Sequence, residues 1–517
     1  MSNLFNLALI ASIALQASFS HGAPLVLDSI SPINYNATAP LGYNSTTHLQ
    51  LSKHRLLNAS NAVTPGVSTP NVPPSGDDTS DHQTLKHLNV TKLPGVSAPV
   101  LSNSNSQRLP LSFVNNLAGT DINAYVTGID SNNQLVFLQP NGQWYYPQSN
   151  SAPTKGTQPV TGDITIPVSS GRGNSSSVEA RTTSLALPGY LQGGRIWFAN
   201  GKLQFYTTNS DHGTQLVEPS VTDLGDPNSK VEWSSMELTT DTNSGVTADI
   251  TFVDFVALPL GITLEANTGT QSAQGLVNTD VINHICGDLQ NQAKADGQPW
   301  DQLCVTNSNS KFNPITNLTS SAANFSSSLN TTTSASSRPL RILSPTDYID
   351  VNPHAFSGYF EEYVDQVWKH YANDTLTTNK GIKCSVKGDE LNCEGDNRGY
   401  ARPTSADIFG CNTGPFAVEK SDNKIHQAVV PWLCAAFNRH ALLSTRGELQ
   451  TGERTGFFTG SPTNWYSSIV HKHSIAGKGY AFSYDDVDPT DGVSLSGLVS
   501  STEPNKLTVT IGGTSMS

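Results

Sequence analysis

The sequence predicts a mainly β protein that also contains an α+β part. From about residue 109 to 260, short strand-like runs alternate with turns rich in Gly, Asn and Pro, which is the pattern of a β-sandwich or β-barrel. Helical periodicity begins only after about residue 266, in the region that carries all six cysteines. Strand-like runs return near the end. The simplest topology is therefore one barrel or sandwich whose chain leaves to build a mixed α/β domain and then returns.

Residues 1–20 are predicted to be a secretory signal peptide. Leu4–Leu15 is an apolar run of suitable length and is followed by small residues for cleavage, although no Lys or Arg precedes it. The run is shorter than the roughly 20 residues that span a bilayer. No later stretch is long and apolar enough to span one, and no lipid-anchor tail follows. We therefore expect an extracellular protein without a membrane partner.

Residues 21–107 differ from the rest of the chain. They contain no Phe or Trp and only two Tyr, and they are rich in Ser, Thr, Asn and Pro. Such a segment buries too little apolar surface to offset the entropy lost on ordering. We predict a disordered, glycosylated leader, and a cleaved propeptide is an alternative.

The strand-rich region is predicted to cover residues 108–265 together with 465–517. Its first part contains the runs QLVFL, DITIPV, GRIWFA, KLQFY, SSMELTT and VTADITFVDFV, and its last part contains KGYAFSYDDV and KLTVTIGG. Short strands separated by turn residues indicate antiparallel sheets. No internal repeat is present, and no coiled-coil pattern points to an oligomer, so we expect a monomer.

Residues 266–464 are predicted to form the α/β domain. The segment 345–371 carries apolar residues at helical spacing, which indicates an amphipathic helix packed on a core. A second helix is expected over Val430–Leu443. Residues 306–337 form a polar insertion, which we predict to be a glycosylated surface loop.

Cysteines, glycosylation signals and charge agree with secretion. An even cysteine count in an exported chain favours disulfides, and we predict neighbour pairing of Cys286 with Cys304, Cys384 with Cys393, and Cys411 with Cys434, although six cysteines allow 15 pairings. Acceptor sequences for N-glycosylation occur at Asn36, Asn44, Asn58, Asn89, Asn174, Asn317, Asn324, Asn330 and Asn373. Charged residues make up only 14% of the chain, and the net charge of −13 argues against a nucleic-acid partner.

A scan for catalytic motifs excludes several classes of enzyme. The chain has no GxSxG, no HExxH, no phosphate-binding loop and no CxxC. His471 and His473 form an HxH pair that could contact a metal ion. Without a third ligand, however, two His on one strand face more often face solvent or hydrogen-bond to a loop. We predict no metal and no organic cofactor.

Two carboxylates are stronger candidates for catalytic residues. Hydrolysis of a glycosidic bond requires one carboxylic acid to protonate the leaving oxygen and a second carboxylate as base or nucleophile. Glu237 lies in SSMELTT and Asp254 in ADITFVDFV, where the surrounding residues are apolar or small apart from Thr251. A carboxylate in such surroundings is costly to bury without partners. Function and a hydrogen-bonded structural role both remain open for Asp254 on this pattern.

A hairpin between the two strands would bring them together. If Ser244-Gly245 forms a two-residue loop, Glu237 lies opposite Phe252 and Asp254 is its diagonal neighbour on the same face. Diagonal neighbours lie about 7–8 Å apart, within the roughly 6.5–9.5 Å expected of an inverting glycosidase. A three-residue loop would place the two on opposite faces.

These residues carry a family resemblance. The pieces LPLSFVNN, INAYVTGID, LPGYLQGGRIWFANGKLQFY, LVEPSVTDLGDPN, VEWSSMELT and ITFVDFVALPLGITLE resemble glycoside hydrolase family 64, the thaumatin-like β-1,3-glucanases. Later pieces, among them PTDYIDVNPHAFSGYFEEYVDQVW, DIFGCNTGPF, VVPWLCAAFNRHALL and NWYSSIVHKHSIAGKGYAFSYDDV, are similar to the same family. The resemblance extends from about Leu109 to Gly513.

The resemblance implies a fold and a reaction. The fold would be a thaumatin-like β-barrel or sandwich domain beside the mixed α/β domain, with a wide acidic groove for a β-1,3-glucan chain. The reaction would be endo-type, inverting cleavage that releases short laminari-oligosaccharides, without a cofactor. Glu237 matches the general acid of the family, Asp254 matches its base, and Thr239 matches a position that contacts substrate.

The sequence departs from the family between these two residues. Similar relatives often carry an Asn and then a Trp that contact sugar, whereas this chain has TTDTNSGVTAD, with Asp241 or Asn243 as the nearest polar match. The stretch is also about one residue longer than expected. The departure bears on sugar binding and product length.

Two alternatives to an enzyme are compatible with this fold. A non-catalytic glucan-binding protein is possible because a fold does not fix a function, but retention of both carboxylates favours hydrolysis. A structural wall protein would explain the glycosylated leader but not the paired carboxylates. Aromatic residues that could stack on sugar include Trp197, Trp465 and Tyr466, although a place in the core is the simpler expectation for each.

Overall fold

The computed structural model describes residues 108–117, 120–147, 157–168, 181–210, 213–241, 245–277, 280–306, 339–378, 381–443, 448–449, 456–487 and 495–513. The predicted signal peptide and leader lie outside these residues, as does the predicted surface loop apart from Thr306. Those predictions therefore stay predictions.

The described part of the chain is mostly β-structure. In chain order its strands are β1 Pro110–Asn115, β2 Ile122–Ile129, β3 Leu135–Leu138, β4 Trp144–Tyr145, β5 Thr157–Pro159, β6 Ile166–Val168, β7 Thr182–Ala186, β8 Leu191–Asn200, β9 Tyr206–Ser210, β10 Gly213–Val217, β11 Glu232–Asp241, β12 Gly245–Ile250, β13 Phe255–Val256, β14 Leu260–Ala266, β15 Gly269–Ala273, β16 Cys304–Thr306, β17 Pro339–Leu343, β18 Leu376–Thr378, β19 Lys383–Lys387, β20 Glu390–Cys393, β21 Glu448–Leu449, β22 Leu498–Ser501 and β23 Pro504–Ile511.

The helices lie between β15 and β22. They are α1 Val281–Asp296, α2 Pro345–Val351, α3 Glu361–Tyr371, α4 Ser405–Gly410, α5 Lys424–Asn438 and α6 Trp465–His473, with 3-10 turns at Trp300–Leu303, Gly414–Phe416 and Ile475–Gly477. No helix among the described residues is long and apolar enough to cross a membrane.

Two large sheets form the β-rich part. Among the described strands, one sheet has the order β15-β14-β23-β1-β7, and the other has the order β22-β12-β11-β8-β2-β3-β4 with β6 also paired to β2. The rings of Phe113 on β1 and Phe198 on β8 pack edge to face, with centroids 5.1 Å apart. Because these two strands belong to different sheets, the apolar core lies between the sheets.

The chain leaves this β-structure and returns to it, as predicted. The last strand, β23, runs parallel to β1 with Leu111 opposite Leu507, and it is antiparallel to β14 on its other side. The preceding strand, β22, pairs with β12 in the second sheet. The end of the chain therefore completes both sheets. The predicted boundaries of the two domains stay a prediction.

The remaining strands build three small sheets. Their orders are β10-β9-β5, β13-β17-β16 and β20-β19-β18-β21 in the described part of the chain. The sheet with β13 is important for the site, because Phe255 and Val256 follow the second predicted catalytic residue and pair with Leu343 and Ile342 of β17. This pairing joins the large sheet to the helical part.

The segment 345–371 contains two helices rather than one. Helix α2 ends at Val351, turns occupy the residues up to Phe360, and α3 begins at Glu361. The predicted apolar stripe is buried in α3 through Tyr363, Val364, Val367, Trp368 and Tyr371. Phe356 has a positive φ of 56°, which is incompatible with helical geometry. The prediction of one continuous helix was wrong because period counting does not register such a turn.

The second predicted helix exists but is shifted. Helix α5 covers Lys424–Asn438, whereas the prediction was Val430–Leu443. The side chain of Asn423 caps its first turn by accepting hydrogen bonds from the backbone N–H groups of Ile425 and His426. The prediction missed this polar first turn because it followed only the apolar run.

The three disulfides join Cys286 to Cys304, Cys384 to Cys393, and Cys411 to Cys434. The predicted neighbour pairing is confirmed. The first bond ties α1 to β16, the second joins directly opposed residues of β19 and β20, and the third ties the end of α4 to α5. All three therefore stabilise the helical part, where the sheets are small.

Candidate active site

One face of the eight-stranded sheet carries a straight row of polar side chains. Arg195 on β8 lies opposite Glu237 on β11, and Glu237 lies opposite Asp249 on β12. Thr127 on β2 continues the row beyond Arg195, and Leu498 on β22 closes it beyond Asp249. Directly opposed residues share a face of a sheet. The register therefore places the cation of Arg195 between Thr127 on one side and Glu237 on the other.

Arg195 is paired with two carboxylates. Its guanidinium contacts Glu218, and its Nη2 lies 3.2 Å from Oε1 of Glu237. The exposed fractions of the Arg195 and Glu237 side chains are 19% and 13%, so both reach solvent only in part. Burial lowers the pKa of Arg195, but the charges of Glu218, Glu237 and Asp254 outweigh burial and raise it. Arg195 is therefore a permanent cation at this site.

Glu218 reaches the row from outside the sheet. It follows the last residue of β10, a strand of the small β10-β9-β5 sheet. Its contact with Arg195 ties that small sheet to the face of the large one. Glu218 and Glu237 share one guanidinium, so the positive charge of Arg195 is divided between two carboxylates.

Asp249 is buried, and its carboxyl group has no hydrogen-bond partner among the described residues. Its exposed fraction is 1%, and within the described part of the chain neither carboxyl oxygen has a donor in range. Burial raises the pKa of Asp249 well above its ordinary value, and the charges of Glu237 and Asp486 raise it further, whereas Arg195 lowers it. Burial and the neighbouring carboxylates therefore both favour the neutral form of Asp249.

An irregularity in β8 shapes the surface beside Glu237. The register between β8 and β11 shifts between Leu238 and Thr240, as in a β-bulge. A Cβ on Gly194 would approach the carbonyl oxygen of Leu238 to 2.7 Å, so only glycine fits at this point. The hydroxyl of Thr240 accepts a hydrogen bond of 2.9 Å from the backbone of Leu191 and fixes the shifted register.

The predicted sugar-contacting residues lie along the same strand. Thr239 and Asp241 follow Glu237 at intervals of two residues, so both lie on its face of β11, and both are half-buried. Asn243 lies outside the described residues. Two of the three predicted contact residues therefore share a surface with the predicted acid.

The hairpin register differs from the prediction. Asp241 pairs with Gly245, so the connection has three residues, and Glu237 lies opposite Asp249 rather than Phe252. The supposed two-residue loop Ser244-Gly245 is therefore wrong, and the three-residue alternative holds. Gly245 instead belongs to the strand, with a φ of 73° and no space for a Cβ beside the carbonyl oxygen of Ser501.

Asp254 is not a strand neighbour of Glu237. Strand β12 ends at Ile250, the chain bends at Val253 and Asp254, and β13 begins at Phe255. The argument from alternating faces, which would separate the two carboxylates, does not apply across this bend. The charge of Asp254 acts on Arg195, the ion-pair partner of Glu237, and also on buried Tyr466. The bend therefore directs Asp254 towards the region between the sheet and α6.

Aromatic side chains lie next to the polar row. The Trp197 and Trp233 rings lie with centroids 5.3 Å apart, and Trp233 meets Phe255 edge to face at 4.6 Å. Trp197 and Tyr466 are fully buried, which confirms the expectation of core positions for both, and Trp465 is half-buried against the core. Trp197 and Trp233 lie on the same face of the sheet as Arg195 and Glu237, so the aromatic cluster borders the polar row at one end.

His471 and His473 lie on helix α6, not on a strand as the HxH pattern was interpreted. His471 contacts Asp485 at 2.7 Å, and His473 contacts Asp288 at 2.9 Å. Among the described residues no group of three His, Cys, Asp or Glu side chains is arranged to hold a metal ion. Each histidine therefore has a structural partner.

Sequence reasoning missed Arg195, Glu218 and Asp249. A signal was present for Arg195 and Asp249, since each is a charged residue in an apolar strand run, GRIWFA and ADITF respectively. A charge in such a run requires a partner or a function. Glu218 carries no comparable signal, because its role depends on how the small sheet folds onto the large one.

Comparison with known families gives a match over most of the chain. The profile of a glycoside hydrolase family described as "Beta-1,3-glucanase" matches residues 107–319 and 312–511. The two matched segments together run through the β-rich part, the helical part and the final strands.

Two curated relatives are bacterial enzymes. Proteins named "Glucan endo-1,3-beta-glucosidase" from Cellulosimicrobium cellulans and from Arthrobacter sp. (strain YCWD3) are each 22% identical to this chain over 305 residues. The match covers 57% of this chain and 48% of each relative. The chain thus spans about half the length of these relatives.

Solved structures show a similar fold. The crystal structure of a laminaripentaose-producing β-1,3-glucanase in complex with laminaritetraose aligns with a TM-score of 0.60 and 22% identity, and covers 78% of this chain and 98% of that one. A β-1,3-glucanase domain from Clostridium beijerinckii aligns with a TM-score of 0.54 and 19% identity, over 79% and 98% of the two chains. At these identities the likeness establishes the fold alone.

Proposed function

Because this chain belongs to glycoside hydrolase family 64, the β-1,3-glucanases, we propose that it hydrolyses β-1,3-glucan by endo-type, inverting cleavage. The observation that carries the proposal is the row in which Glu237 is partly exposed beside a permanent cation and within a cluster of carboxylates. Glycoside hydrolysis needs two carboxyl groups with different protonation states. A cluster in which like charges compete provides that difference.

Glu237 is the general acid in this proposal. It must carry a proton when the glycosidic bond breaks and give that proton to the leaving oxygen. Its position in the middle of β11 supports this role, because a strand of a large sheet holds a side chain more rigidly than a loop does. Arg195 favours the charged form of Glu237, but Glu218 competes for the same guanidinium and limits that effect.

Asp254 is the general base. As a carboxylate it accepts a proton from the water that attacks the anomeric carbon on the face opposite the leaving group, so the configuration inverts. Its place at a bend between β12 and β13 supports the role, since a bend takes a side chain out of the alternation of the two sheet faces. The proton taken up by Asp254 is later released to solvent, and Glu237 is reprotonated.

Thr239 and Asp241 contact the sugars next to the scissile bond, and Asn243, outside the described residues, stays a predicted sugar contact. The support is their spacing along β11, which sets Thr239 two residues and Asp241 four residues from Glu237 on the same face. Two residues along a β-strand span about 6.6 Å, which is comparable to the length of one sugar unit. The substrate chain therefore runs along β11 in a groove between a thaumatin-like barrel and the helical part.

The protein acts outside the cell as a glycoprotein. The predicted signal peptide, the three disulfides and the exposed acceptor residue Asn373 support export. Substrate would then be a wall or storage polysaccharide, met by a monomeric enzyme without a cofactor.

The stereochemical course tests the mechanism. We expect time-resolved ¹H NMR of laminari-oligosaccharide hydrolysis to show the α-anomer first, with the β-anomer appearing only by mutarotation. Asp254→Asn should lower kcat by about a hundredfold or more while substrate binding persists. Initial release of the β-anomer would refute inversion and the assigned role of Asp254.

A non-catalytic glucan-binding protein is the competing function. Isothermal titration with a laminari-oligosaccharide separates the two, because a binding protein would bind the oligosaccharide without releasing any reducing sugar. Binding without cleavage by the unmodified protein would remove the enzymatic proposal as a whole.

A further inference from the structure

Two carboxyl groups face each other across the central hairpin. Glu237 and Asp249 are direct partners in the β11–β12 ladder, so their side chains leave the same face of the sheet. Cβ atoms of directly opposed residues lie about 4.5–5.5 Å apart. Like charges at this separation destabilise each other, and two adjacent carboxyls do not both ionise readily.

The two members of the pair differ in their surroundings. Glu237 is partly exposed and has Arg195 as an ion-pair partner. Asp249 is 1% exposed, and both of its oxygens lack a hydrogen-bond donor within the described part of the chain. An ionised carboxylate without donors is the most costly group to bury. Its opposite neighbour on the other side, Leu498, adds no charge and no donor.

We propose that Asp249 is a positioning residue that shares one proton with Glu237 and so keeps the general acid protonated up to higher pH. The inference rests on the proposed role of Glu237 as the acid. The pair carries one proton and one negative charge over the working pH range. When the proton is on Asp249, Glu237 is a carboxylate paired with Arg195, and when it moves to Glu237, Asp249 becomes the carboxylate.

The proton balance of one turnover follows directly. Glu237 gives the shared proton to the leaving oxygen, and both members of the pair are then ionised. This state is unfavourable because two adjacent negative charges face a single guanidinium. Glu237, which reaches solvent, takes up a proton from water at once, and the pair returns to its resting state. Because Asp249 is buried and Glu237 is partly exposed, the pair exchanges protons with solvent through Glu237.

Other charged groups around the pair act in known directions. From β8, Arg195 stabilises a negative charge on the pair. From the segment that follows α6, Asp486 disfavours a negative charge on Asp249, and buried Tyr480 lies within reach of the charges of Asp486 and Asp249. The charges of Glu218 and Asp254 act on Arg195 as well and raise its pKa. The net surroundings thus favour retention of one proton.

The pH profile of Asp249→Asn tests the proposal. Asparagine is a neutral isostere that removes the shared site and leaves Glu237 alone beside Arg195. We expect the alkaline limb of kcat/KM to move to lower pH by about one unit or more, with activity at acidic pH within about threefold of the parent. A purely structural role would lower activity equally at every pH. A limb that stays in place or moves upward would overturn the proposal.

Asp130→Asn is the matched control. Asp130 is also a buried aspartate, but it accepts hydrogen bonds from the backbone of Asn132 and Gln134 in the turn after β2. This variant should lower stability without moving the limb.

A titration of the unmodified protein provides a readout that does not depend on activity. With ¹³C-labelled carboxyl groups, NMR should show Glu237 and Asp249 titrating together in two steps in the parent. Asp249 should titrate in a single step in Glu237→Gln. Independent single steps in the parent would refute the shared proton even if the protein cleaves glucan. Two coupled steps in a protein that cleaves no glucan would instead refute only the proposed function.

Discussion

The hydroxyl of Tyr466 on α6 donates a hydrogen bond of 2.6 Å to the backbone carbonyl of Phe252. Phe252 lies at the point where β12 has ended and the chain bends towards Asp254. Its own N–H donates to the carbonyl of Tyr480. The bend that carries the proposed base is therefore held on both sides by segments that come more than 200 residues later in the sequence.

Removal of the Tyr466 hydroxyl should lower kcat markedly and the stability of the fold only modestly. Tyr466→Phe leaves the buried Phe252 carbonyl without this donor, which should lower the free energy of unfolding by about 1–3 kcal/mol. If the bend that carries Asp254 shifts by about 1 Å, kcat should fall by about 10-fold to 100-fold, with KM changed little. Steady-state kinetics on β-1,3-glucan and urea denaturation measure the two effects.

Tyr371→Phe is the matched control for that variant. The Tyr371 hydroxyl also donates a buried hydrogen bond of 2.6 Å, to the carbonyl of Leu442 in the helical part. We expect a similar loss of stability with kcat unchanged. Equal losses of kcat in both variants would show that Tyr466 acts only on the overall fold.

Loss of the Arg195 charge should shift the pH dependence of the reaction upward. A cation 3.2 Å from Glu237 favours the carboxylate form, so Arg195→Met should let Glu237 keep its proton to higher pH. The alkaline limb of kcat/KM should rise by about one unit or more, opposite to the direction expected for Asp249→Asn. A limb that moves downward would show that Arg195 does not control the protonation of Glu237.

Arg402→Met controls for loss of a positive charge. Arg402 is paired with Asp365 in the helical part, and both side chains are largely exposed. Exposed pairs contribute about 0–1 kcal/mol to stability. This variant should therefore show the parent pH profile.

Asp485 should make the fold sensitive to acid. It is fully buried and accepts hydrogen bonds from Arg439, His471 and the backbone of Ala481. Burial alone would raise the pKa of Asp485, but His471 and Arg439 outweigh burial and lower it. A lowered folded-state pKa adds stability above the unfolded pKa of about 4, and this stability is lost as the pH falls through the folded value.

The variant Asp485→Asn should make the fold less stable at neutral pH. It leaves the buried Arg439 without its counterion, so we expect a loss of about 3–5 kcal/mol at pH 7. The difference from the parent should shrink as the pH falls below about 4. Urea denaturation at several pH values measures it. Asp288→Asn, which removes a partly exposed ion pair, should change stability by less than about 1 kcal/mol.

The disulfide between Cys411 and Cys434 should stabilise the helical part without affecting chemistry. It closes a loop with a sequence separation of 23 and ties α4 to α5. Replacement of both cysteines by Ala should lower the free energy of unfolding by about 3 kcal/mol. The kcat of the folded variant should equal that of the parent, because the bond lies outside the polar row. A selective loss of kcat would show that α5 contributes to the site.

The strands and the cysteine pairs could be predicted because their signals are local. Short strand-like runs between turn residues marked β8 and β11, and neighbouring cysteines proved to be bonded. Phe356 shows where local patterns fail, since its positive φ breaks a run whose apolar spacing continues. Helix α5 began earlier than predicted because its first turn is polar and its cap is a side-chain interaction.

The site was harder to predict than the fold. The family resemblance pointed to Glu237 and Asp254, but the partners of Glu237 depend on register and on long-range contacts. A change from a two-residue to a three-residue connection replaced Phe252 by Asp249 as its opposite residue. Glu218 arrives from a different sheet, and no sequence pattern encodes that approach.

The most direct test measures reducing-sugar release from linear β-1,3-glucan by the purified protein, by Glu237→Gln and by Glu232→Gln. Glu232 lies on the same strand but on its other face, where it contacts Asn200. We expect cleavage by the parent and by Glu232→Gln, with a loss of about a thousandfold or more in Glu237→Gln and retained glucan binding. Undiminished cleavage by Glu237→Gln would contradict the assigned acid, and binding without cleavage by all three proteins would contradict the enzymatic function.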